Sequence, residues 1–274
     1  MQSGIDYVDK SYCLTENKNY RLSIQVSLNG FSFCMYDPVK QKHVVLKHFV
    51  YSENIADCDI WTKEINRIAD LMTDNLAPVA SPVKCLFTSR KNTLIPKSVF
   101  SENNIKSYLS FFFQLDELDE IHYKYISEIE AYCCYALPSP VVAGIISRFG
   151  RTEFYNQAYT VIRRINNCKT GMNIVFCNNF MDVSVFRDNK LVLNNSFEIF
   201  DLKDIIYFVS AISDKFNVKD IPIYISGNIS NSEIKKLKKF FPLIVQEQNG
   251  KISLALGSEV STKYYNLLSL HECE

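Results

Sequence analysis

The sequence has few residues that break regular structure and few that bind metals. Among 274 residues there are eight glycines, eight prolines, four histidines and one tryptophan. With 47% hydrophobic and 22% charged residues, this composition excludes a disordered or fibrous chain and predicts packed globular structure. Because the length exceeds that of most single domains, it favours two domains.

The sequence also lacks net charge and long apolar runs. Thirty basic residues balance thirty acidic ones, so we expect no broad basic surface of the kind that binds nucleic acid through counterion release. No run approaches the ~18 apolar residues of a membrane-spanning helix. The first twenty residues lack the basic and apolar regions of a signal peptide. We therefore predict a cytoplasmic protein with no nucleic-acid partner and no membrane span.

Metal-binding and catalytic motifs of the common classes are missing. The nine cysteines are odd in number and dispersed. Cys133 and Cys134 are adjacent instead of two residues apart, and no other pair has zinc or redox spacing. No histidine falls in an H-E-x-x-H motif, and there is no G-x-S-x-G elbow. We expect reduced, structural thiols, no metal site and no catalytic residue of these classes.

The clearest pattern is a hairpin that occurs twice, 150 residues apart. Residues 21–37 are predicted to form two strands joined at Asn29-Gly30. This pair readily adopts the positive φ angles of a two-residue hairpin turn. In the second copy, 173–179 and 181–188 are the paired strands. Such long-range similarity indicates that the two halves repeat one plan.

Each hairpin is followed by the same order of elements: a third antiparallel strand, a helix, a parallel strand and a second helix. The first copy has a strand at 43–51, a helix at 57–76, a strand at 83–89 and a helix at 105–115; the second has a strand at 190–200, a helix at 201–216 with Asp201 as N-cap, a strand at 221–227 and a helix opened by the capping box Ser230-x-x-Glu233. The pattern predicts an α/β fold of two βββαβα lobes. We place the first, with an N-terminal arm, at 1–167 and the second at 168–274.

Other segments are assigned less completely. Residues 121–137 are predicted as one long strand and 138–150 as a helix, whereas 153–165 fits a strand or a helix. The end of the chain, 261–274, either closes the second lobe or crosses to the first. Residues 111–113 with Tyr108 are expected to form a core between elements, and the acidic run 115–120 and the lysine cluster 235–239 to be solvated faces.

Two hairpin-led βββαβα halves resemble the actin-like ATPase superfamily, whose lobes are ribonuclease H-like folds around a nucleotide cleft. Over about 20–250 the chain also looks like an uncharacterised bacterial family, known as a domain of unknown function, with that fold. In active superfamily members, acidic D-x-G type motifs at the hairpin turns handle Mg²⁺ and water, and glycines let backbone N–H groups reach the phosphates. The resemblance places these candidate cleft residues: Gln25, Ser27, Asn29, Gly30, Cys177, Asn178, Asn179, Asp182, Ser226, Gly227 and Asn228.

Several of these positions depart from the superfamily pattern. Gln25 and Val175 stand where the aspartates belong, and Ser27 stands where a glycine belongs. Of the glycine pair that contacts adenosine, only Gly227 is kept. Neutral residues cannot offset the charge of a metal–phosphate group as carboxylates do. We therefore expect a non-catalytic binding or scaffold protein with a protein partner and no cofactor.

Two alternatives stay open from the sequence. The cleft could retain ATP and Mg²⁺ through neutral hydrogen-bonding groups such as those of Asn178 and Asn179. An ATPase or kinase could also have moved its acid elsewhere, to Asp182 or Asp37. For that enzyme, Asp182 has to point into the cleft and not pair across its hairpin.

Overall fold

The structure is a computed structural model. It describes residues 3–13, 20–27, 30–51, 63–64, 66–67, 70, 82–164 and 170–273. The predicted turn residue Asn29, most of the predicted helix 57–76 and the predicted lobe boundary at 167/168 lie outside these residues. Within 57–76, the described residues 63–64, 66–67 and 70 are helical.

The chain divides into two compact units. Unit 1 comprises Met1–Tyr125, Glu130–Tyr159 and Leu267–Glu274, and unit 2 comprises Ile126–Ile129 and Thr160–Asn266. The strands are β1 Ser3–Val8, β2 Arg21–Ser27, β3 Gly30–Asp37, β4 Lys42–Val50, β5 Val83–Phe87, β6 Asn92–Pro96, β7 Asp119–Ile126, β8 Ala131–Pro138, β9 Thr152–Asn156, β10 Gly171–Phe176, β11 Phe180–Arg187, β12 Lys190–Glu198, β13 Ile223–Gly227 and β14 Ile244–Gln246. The α-helices are Ile105–Ser110, Ser139–Phe149, Gln157–Arg164, Leu202–Phe216, Asn231–Leu237, Gly250–Leu256, Ser258–Lys263 and Tyr265–Leu268.

The main sheet of each unit has the same strand order. In unit 1 the order is β1-β4-β3-β2-β5-β9, and in unit 2 it is β12-β11-β10-β13-β14. In both, three antiparallel strands are followed by two strands parallel to the first of them. Strand β1, which the sequence suggested only as an arm, adds an edge strand beside β4 in unit 1.

The predicted hairpin repeat is confirmed in its register. Ile24 lies opposite Phe33 in the first hairpin, and Ile174 lies opposite Val183 in the second. The register shifts between Met35 and Tyr36 in one sheet and, 150 residues on, between Val185 and Phe186 in the other. The pairing is therefore interrupted at the same step of both sheets, between the second and third strands of each repeat.

Two predicted helix starts in unit 2 are confirmed. The Asp201 carboxylate accepts from the backbone N–H groups of Lys203 and Asp204, and Leu202–Phe216 follows. The Ser230 hydroxyl and Glu233 carboxylate form the reciprocal capping box of Asn231–Leu237. Both helices cover the sheet with apolar residues such as Ile205, Val209 and Ile234.

The prediction of one long strand over 121–137 is wrong. The segment forms β7 and β8, separated by the short 3-10 turn Ser127–Ile129 and by Glu130 at φ 47°. Together with β6 they make a third sheet in the order β6-β8-β7. This turn contains neither glycine nor proline, and Ser127 is its one residue of a type common in turns, so the sequence signal for it was weak.

The helix predicted over 105–115 ends earlier, at Ser110, and the aromatic run after it is only partly core. Phe113 packs against the core of the third sheet. Phe111 and Phe112 are 82% and 61% exposed, so the expectation that 111–113 is an inter-element core is wrong for these two residues.

The two segments left open by the sequence are now assigned. Residues 153–165 contain both alternatives, because β9 is followed directly by the helix Gln157–Arg164. The chain end from Leu267 onward belongs to unit 1. There, Lys84 Nζ donates to the carbonyl oxygens of His271 (3.4 Å) and Cys273.

Rings also hold the end of the chain. His271 stacks on Tyr36 with ring centroids 3.8 Å apart, and His43 meets it edge-on at 5.1 Å. Nδ1 of His271 donates to the carbonyl of Leu268 at 2.7 Å. Burial lowers the pKa of His271, an effect that the charges of Lys84 and Arg21 reinforce and that Glu272 opposes.

We predict that His271 makes folding stability depend on pH. Because its pKa is lower in the folded chain, the unfolded chain binds more protons as the pH falls below about 6.5, and stability drops there. Half-buried His122 also has a pKa lowered by desolvation, and it contributes in the same direction. Urea unfolding between about pH 7 and pH 5 is therefore compared for wild type and His271→Gln. The variant should lose less stability over this interval, and equal losses would contradict the assignment.

We also predict that Gly227→Ala is strongly destabilising. Gly227 has φ +93°, and a Cβ there would lie 2.1 Å from the carbonyl oxygen of Phe176. Both the backbone conformation and the close approach favour glycine, so we expect a loss of roughly 2–4 kcal/mol in urea unfolding. Gly250→Ala is the matched control, because no atom lies within 4 Å of its added Cβ. It should change stability by less than about 0.5 kcal/mol, and similar effects at both glycines would contradict this reading.

Candidate functional site

The first hairpin carries its candidate residues in unit 1. Gln25 lies in β2 between Ser32 of β3 and Leu86 of β5. Its side-chain Oε1 is buried and has no hydrogen-bond partner among the described residues. Ser27 Oγ donates to the carbonyl of Gly30, its partner in β3, at 3.0 Å.

Gly30 is required by its neighbours in β4. A Cβ at this position would lie 2.5 Å from His48 Cε1 and 2.6 Å from the carbonyl oxygen of Phe49. His48 is buried, and its Nδ1 lies 2.8 Å from Ser32 Oγ. Glycine here therefore serves packing of the sheet, and its presence does not by itself indicate a phosphate site.

The second hairpin replaces a charged turn with neutral and buried groups. Val175 is 4% exposed and pairs with Asp182 in β11 and Ser226 in β13. The N–H of Cys177 donates to the carbonyl of Phe180 at 2.9 Å. Burial, followed by the charge of Asp182, raises the pKa of Cys177 well above its ordinary value, so this thiol stays protonated at neutral pH.

The two acids considered as displaced catalytic groups hold hydrogen bonds inside their own units. Asp182 is 5% exposed and accepts from Ser196 Oγ of the adjacent strand β12. Asp37 accepts from the N–H groups of Val39 and Lys40, each at 2.9 Å. Asp182 therefore pairs across β11 and β12, and Asp37 organises the turn after β3.

The end of β13 brings two predicted residues together. The N–H of Asn228 donates to the carbonyl of Phe176 at 2.7 Å, and its Nδ2 donates to Asn178 Oδ1 at 3.4 Å. The positive φ of Gly227 directs the chain from the buried strand towards Asn178. Ser226, fully buried, accepts from Asn266 Nδ2 at 3.5 Å.

A pocket of about 320 Å³ opens in unit 2 beside these residues. Its lining comprises Phe176, Cys177, Asn178, Ile199, Phe200, Asp201, Ile205, Asn228, Ile229, Ser230, Glu233, Glu259 and Lys263. Of the predicted site residues, Cys177, Asn178 and Asn228 line it. Asn179, Asp182, Ser226 and Gly227 do not, and Gln25, Ser27 and Gly30 belong to unit 1.

The pocket carries more acidic than basic groups. Asp201 and Glu233 line it while also capping their helices. Glu259 adds a third carboxylate, and Lys263 is the one cation among the lining residues. Burial lowers the pKa of Lys263, whereas the charge of Glu259 raises it. Such a lining suits a ligand that is neutral or positive where it meets the carboxylates.

Sequence reasoning identified some of these residues in a different role. Asp201 and Ser230 were predicted as helix caps. Both line the pocket because the helices Leu202–Phe216 and Asn231–Leu237 begin next to it, which local sequence does not reveal. Glu259 and Lys263 belong to a short helix far along the chain, and no motif marked them. Across the described ranges, no group of three or more His, Cys, Asp and Glu residues is placed to hold a metal ion.

Two further findings concern the described chain as a whole. Its helices include none of the length and apolar character needed to cross a membrane. Seven of the nine cysteines lie within the described residues, and these seven form no disulfide with one another.

Solved structures with similar folds support the expected fold class. A Bacteroides thetaiotaomicron protein with an actin-like ATPase fold and unknown function has a TM-score of 0.74 at 20% identity, covering 85% of this chain and 92% of that one. The PilM–PilN type IV pilus biogenesis complex has a TM-score of 0.61 at 10% identity, covering 93% and 98%. The ethanolamine utilization protein EutJ from Carboxydothermus hydrogenoformans has a TM-score of 0.51 at 7% identity, covering 92% and 89%.

These likenesses confirm the predicted α/β architecture of the actin-like ATPase type. At these identities they speak for the fold alone. No curated protein matches the sequence. One family profile, described as "Protein of unknown function (DUF3822)", matches residues 9–244, which is most of the chain. The chain therefore belongs to the DUF3822 family.

Proposed function

We propose that this protein is a binding module with an actin-like fold that does not hydrolyse ATP. The observation that carries the proposal is the chemistry of the two hairpins. Gln25 and Val175 occupy the positions at which the resemblance implies metal-handling aspartates. A primary amide and an isopropyl group provide no negative charge for a magnesium–phosphate group.

The acids near these hairpins support the same proposal. A carboxylate that serves a metal ion or an attacking water needs lone pairs directed at the ligand. Asp182 is buried and bonded to Ser196, while Asp37 receives two backbone N–H groups and pairs with Lys40 at 3.4 Å. Using either acid for catalysis would require breaking these contacts, so the displaced-acid enzyme is disfavoured.

A protein partner is the ligand class that we favour. One of the similar folds, PilM, occurs in a complex with PilN, which supports protein recognition as a use for this fold. The proposed cytoplasmic location follows from the sequence and remains a prediction.

Nucleoside binding without hydrolysis is a second candidate. The pocket of about 320 Å³ in unit 2 favours it, because the amides of Asn178 and Asn228 face a cavity with the apolar walls Ile199 and Ile229. Its excess of carboxylates argues against a triphosphate bound there with magnesium. A base or nucleoside, which carries no charge, fits that lining better.

Thermal unfolding with ATP, ADP or adenosine, each with and without Mg²⁺, tests both candidates. A ligand that binds only the folded chain stabilises it by about 2.7 kcal/mol at 100 times Kd. We expect no magnesium-dependent rise in Tm and no phosphate release above background. The second candidate predicts a magnesium-independent rise with adenosine that is lost in Asn228→Ala.

The matched control for that variant is Asn195→Ala, in the edge strand β12 and outside the pocket lining. A magnesium-dependent rise with ATP, together with turnover abolished by Asp182→Asn, would refute the non-catalytic proposal.

A further inference from the structure

Two helix ends, one in each unit, share a pattern that the site does not use. In Leu109–Phe113 and in Leu237–Phe241, a leucine is followed three and four residues later by two phenylalanines. The Leu109 carbonyl accepts from the N–H groups of Phe112 (3.1 Å) and Phe113 (2.9 Å). The Leu237 carbonyl accepts from Phe240 and Phe241, both at 2.9 Å.

In both ends the second phenylalanine is an anchor and the first is displayed. Phe113 packs against the core of the third sheet, and Phe241 packs against the core of unit 2. The preceding rings are held outward: Phe112 is 61% exposed and Phe240 is 59% exposed. Exposed aromatic rings on a hydrogen-bonded helix end lose little conformational entropy when a partner covers them.

The first end is acidic. Residues 107–120 contain four acidic residues and no basic one. Phe111, 82% exposed, contacts Phe112 edge-on with centroids 5.0 Å apart. Asp116 is 74% exposed at its side chain, although Lys91 pairs with it at 2.7 Å. Glu117 is exposed and pairs with no other described residue.

The second end is basic. Residues 234–241 contain four lysines, Lys235, Lys236, Lys238 and Lys239, and no acidic residue. All four are exposed. None of them forms an ion pair with another described residue. Phe240 therefore lies next to four exposed lysines, whereas Phe111 and Phe112 precede the exposed carboxylates of Asp116 and Glu117.

We propose that the acidic end, residues 107–120, of one copy of this chain binds the basic end, residues 234–241, of a second copy. The contact covers the exposed phenylalanines, and the opposite charges guide and orient the encounter. A second copy is the occupant because one chain carries both complementary surfaces. The contact is heterologous, since the two surfaces differ, and it leaves a free end of each kind for further copies. It does not depend on whether the pocket binds a nucleoside.

Sedimentation equilibrium of the full chain tests the association. We expect the mean mass to rise with protein concentration. The apparent Kd should weaken at least tenfold when the ionic strength is raised from about 0.05 M to about 0.3 M. Phe112→Ser, which removes a displayed ring and leaves the anchor Phe113, should also weaken it at least tenfold. A mean mass that stays that of one chain at all concentrations overturns the proposal.

Removing charge from one end at a time identifies the two surfaces. Gln114→Lys with Glu117→Lys changes the formal charge of the acidic end from −4 to −1, and Lys236→Glu with Lys239→Glu changes that of the basic end from +4 to 0. Each double variant should associate with itself at least tenfold more weakly than wild type. An equimolar mixture should recover association, because the unchanged basic end of one variant meets the unchanged acidic end of the other. A mixture that stays monomeric overturns the proposal.

Matched controls separate surface effects from misfolding and from net charge. Lys190→Glu with Lys203→Glu makes the same charge change as the lysine variant, at exposed positions outside both ends. It should associate as wild type does, and if it dissociates equally, the assignment of the basic end is wrong. Circular dichroism melts of all variants should match wild type. Association of wild type that is unaffected by either double variant assigns the contact to another surface and contradicts the proposal.

Discussion

The first strand of each hairpin is the central constraint of this molecule. Strand β2 is hydrogen-bonded to β3 on one side and β5 on the other, and β10 is bonded to β11 and β13 in the same way. All six residues of β10 are buried. An ionised side chain within such a strand loses its hydration and needs a cation or several donors in return. Val175 avoids that cost and leaves the buried strand of the second hairpin without charge.

The same constraint connects the fold to the proposed function. A carboxylate at the end of a buried strand is tolerated when a magnesium–phosphate group compensates its charge. Where the strand is neutral, the surrounding acids serve the protein itself: Asp182 bonds to Ser196, and Asp201 caps its helix. What this architecture still offers is a pocket lined by amide, apolar and carboxylate groups, and two exposed helix ends of opposite charge.

Local chemistry allowed much of the fold to be predicted from sequence. Comparing the two copies, 150 residues apart, allowed the register of both hairpins to be predicted. The alternation of side chains leaves little freedom of register once one face of a strand is buried. Asp201 and Ser230 marked their helices through side-chain groups that need no tertiary context. The turn at 127–130 was missed because Glu130 adopts φ 47°. Glutamate is not a residue type that favours this conformation, so the sequence did not predict it.

The rest depended on contacts between distant segments. Phe111 and Phe112 resembled core residues, and only the anchoring of Phe113 turned them outward. Lys84 holds the chain end in unit 1 through the carbonyls of His271 and Cys273, a contact without any side-chain pattern. Among the pocket residues, Asn178 and Asn228 were predicted from the resemblance. Glu259 and Lys263 belong to a short helix that no sequence motif connected with the pocket.

Replacing Val175 by aspartate, and measuring the free energy of unfolding with and without magnesium and ATP, tests the central claim most directly. Burying an unpaired carboxylate in β10 should cost at least about 3 kcal/mol. The account predicts that magnesium and ATP do not restore that loss, and that Val175→Ala, which adds no charge, loses clearly less. Near-wild-type stability of the aspartate variant, or its recovery with magnesium and ATP, would contradict the account, because it would mean that the second hairpin still accommodates a metal-bound phosphate.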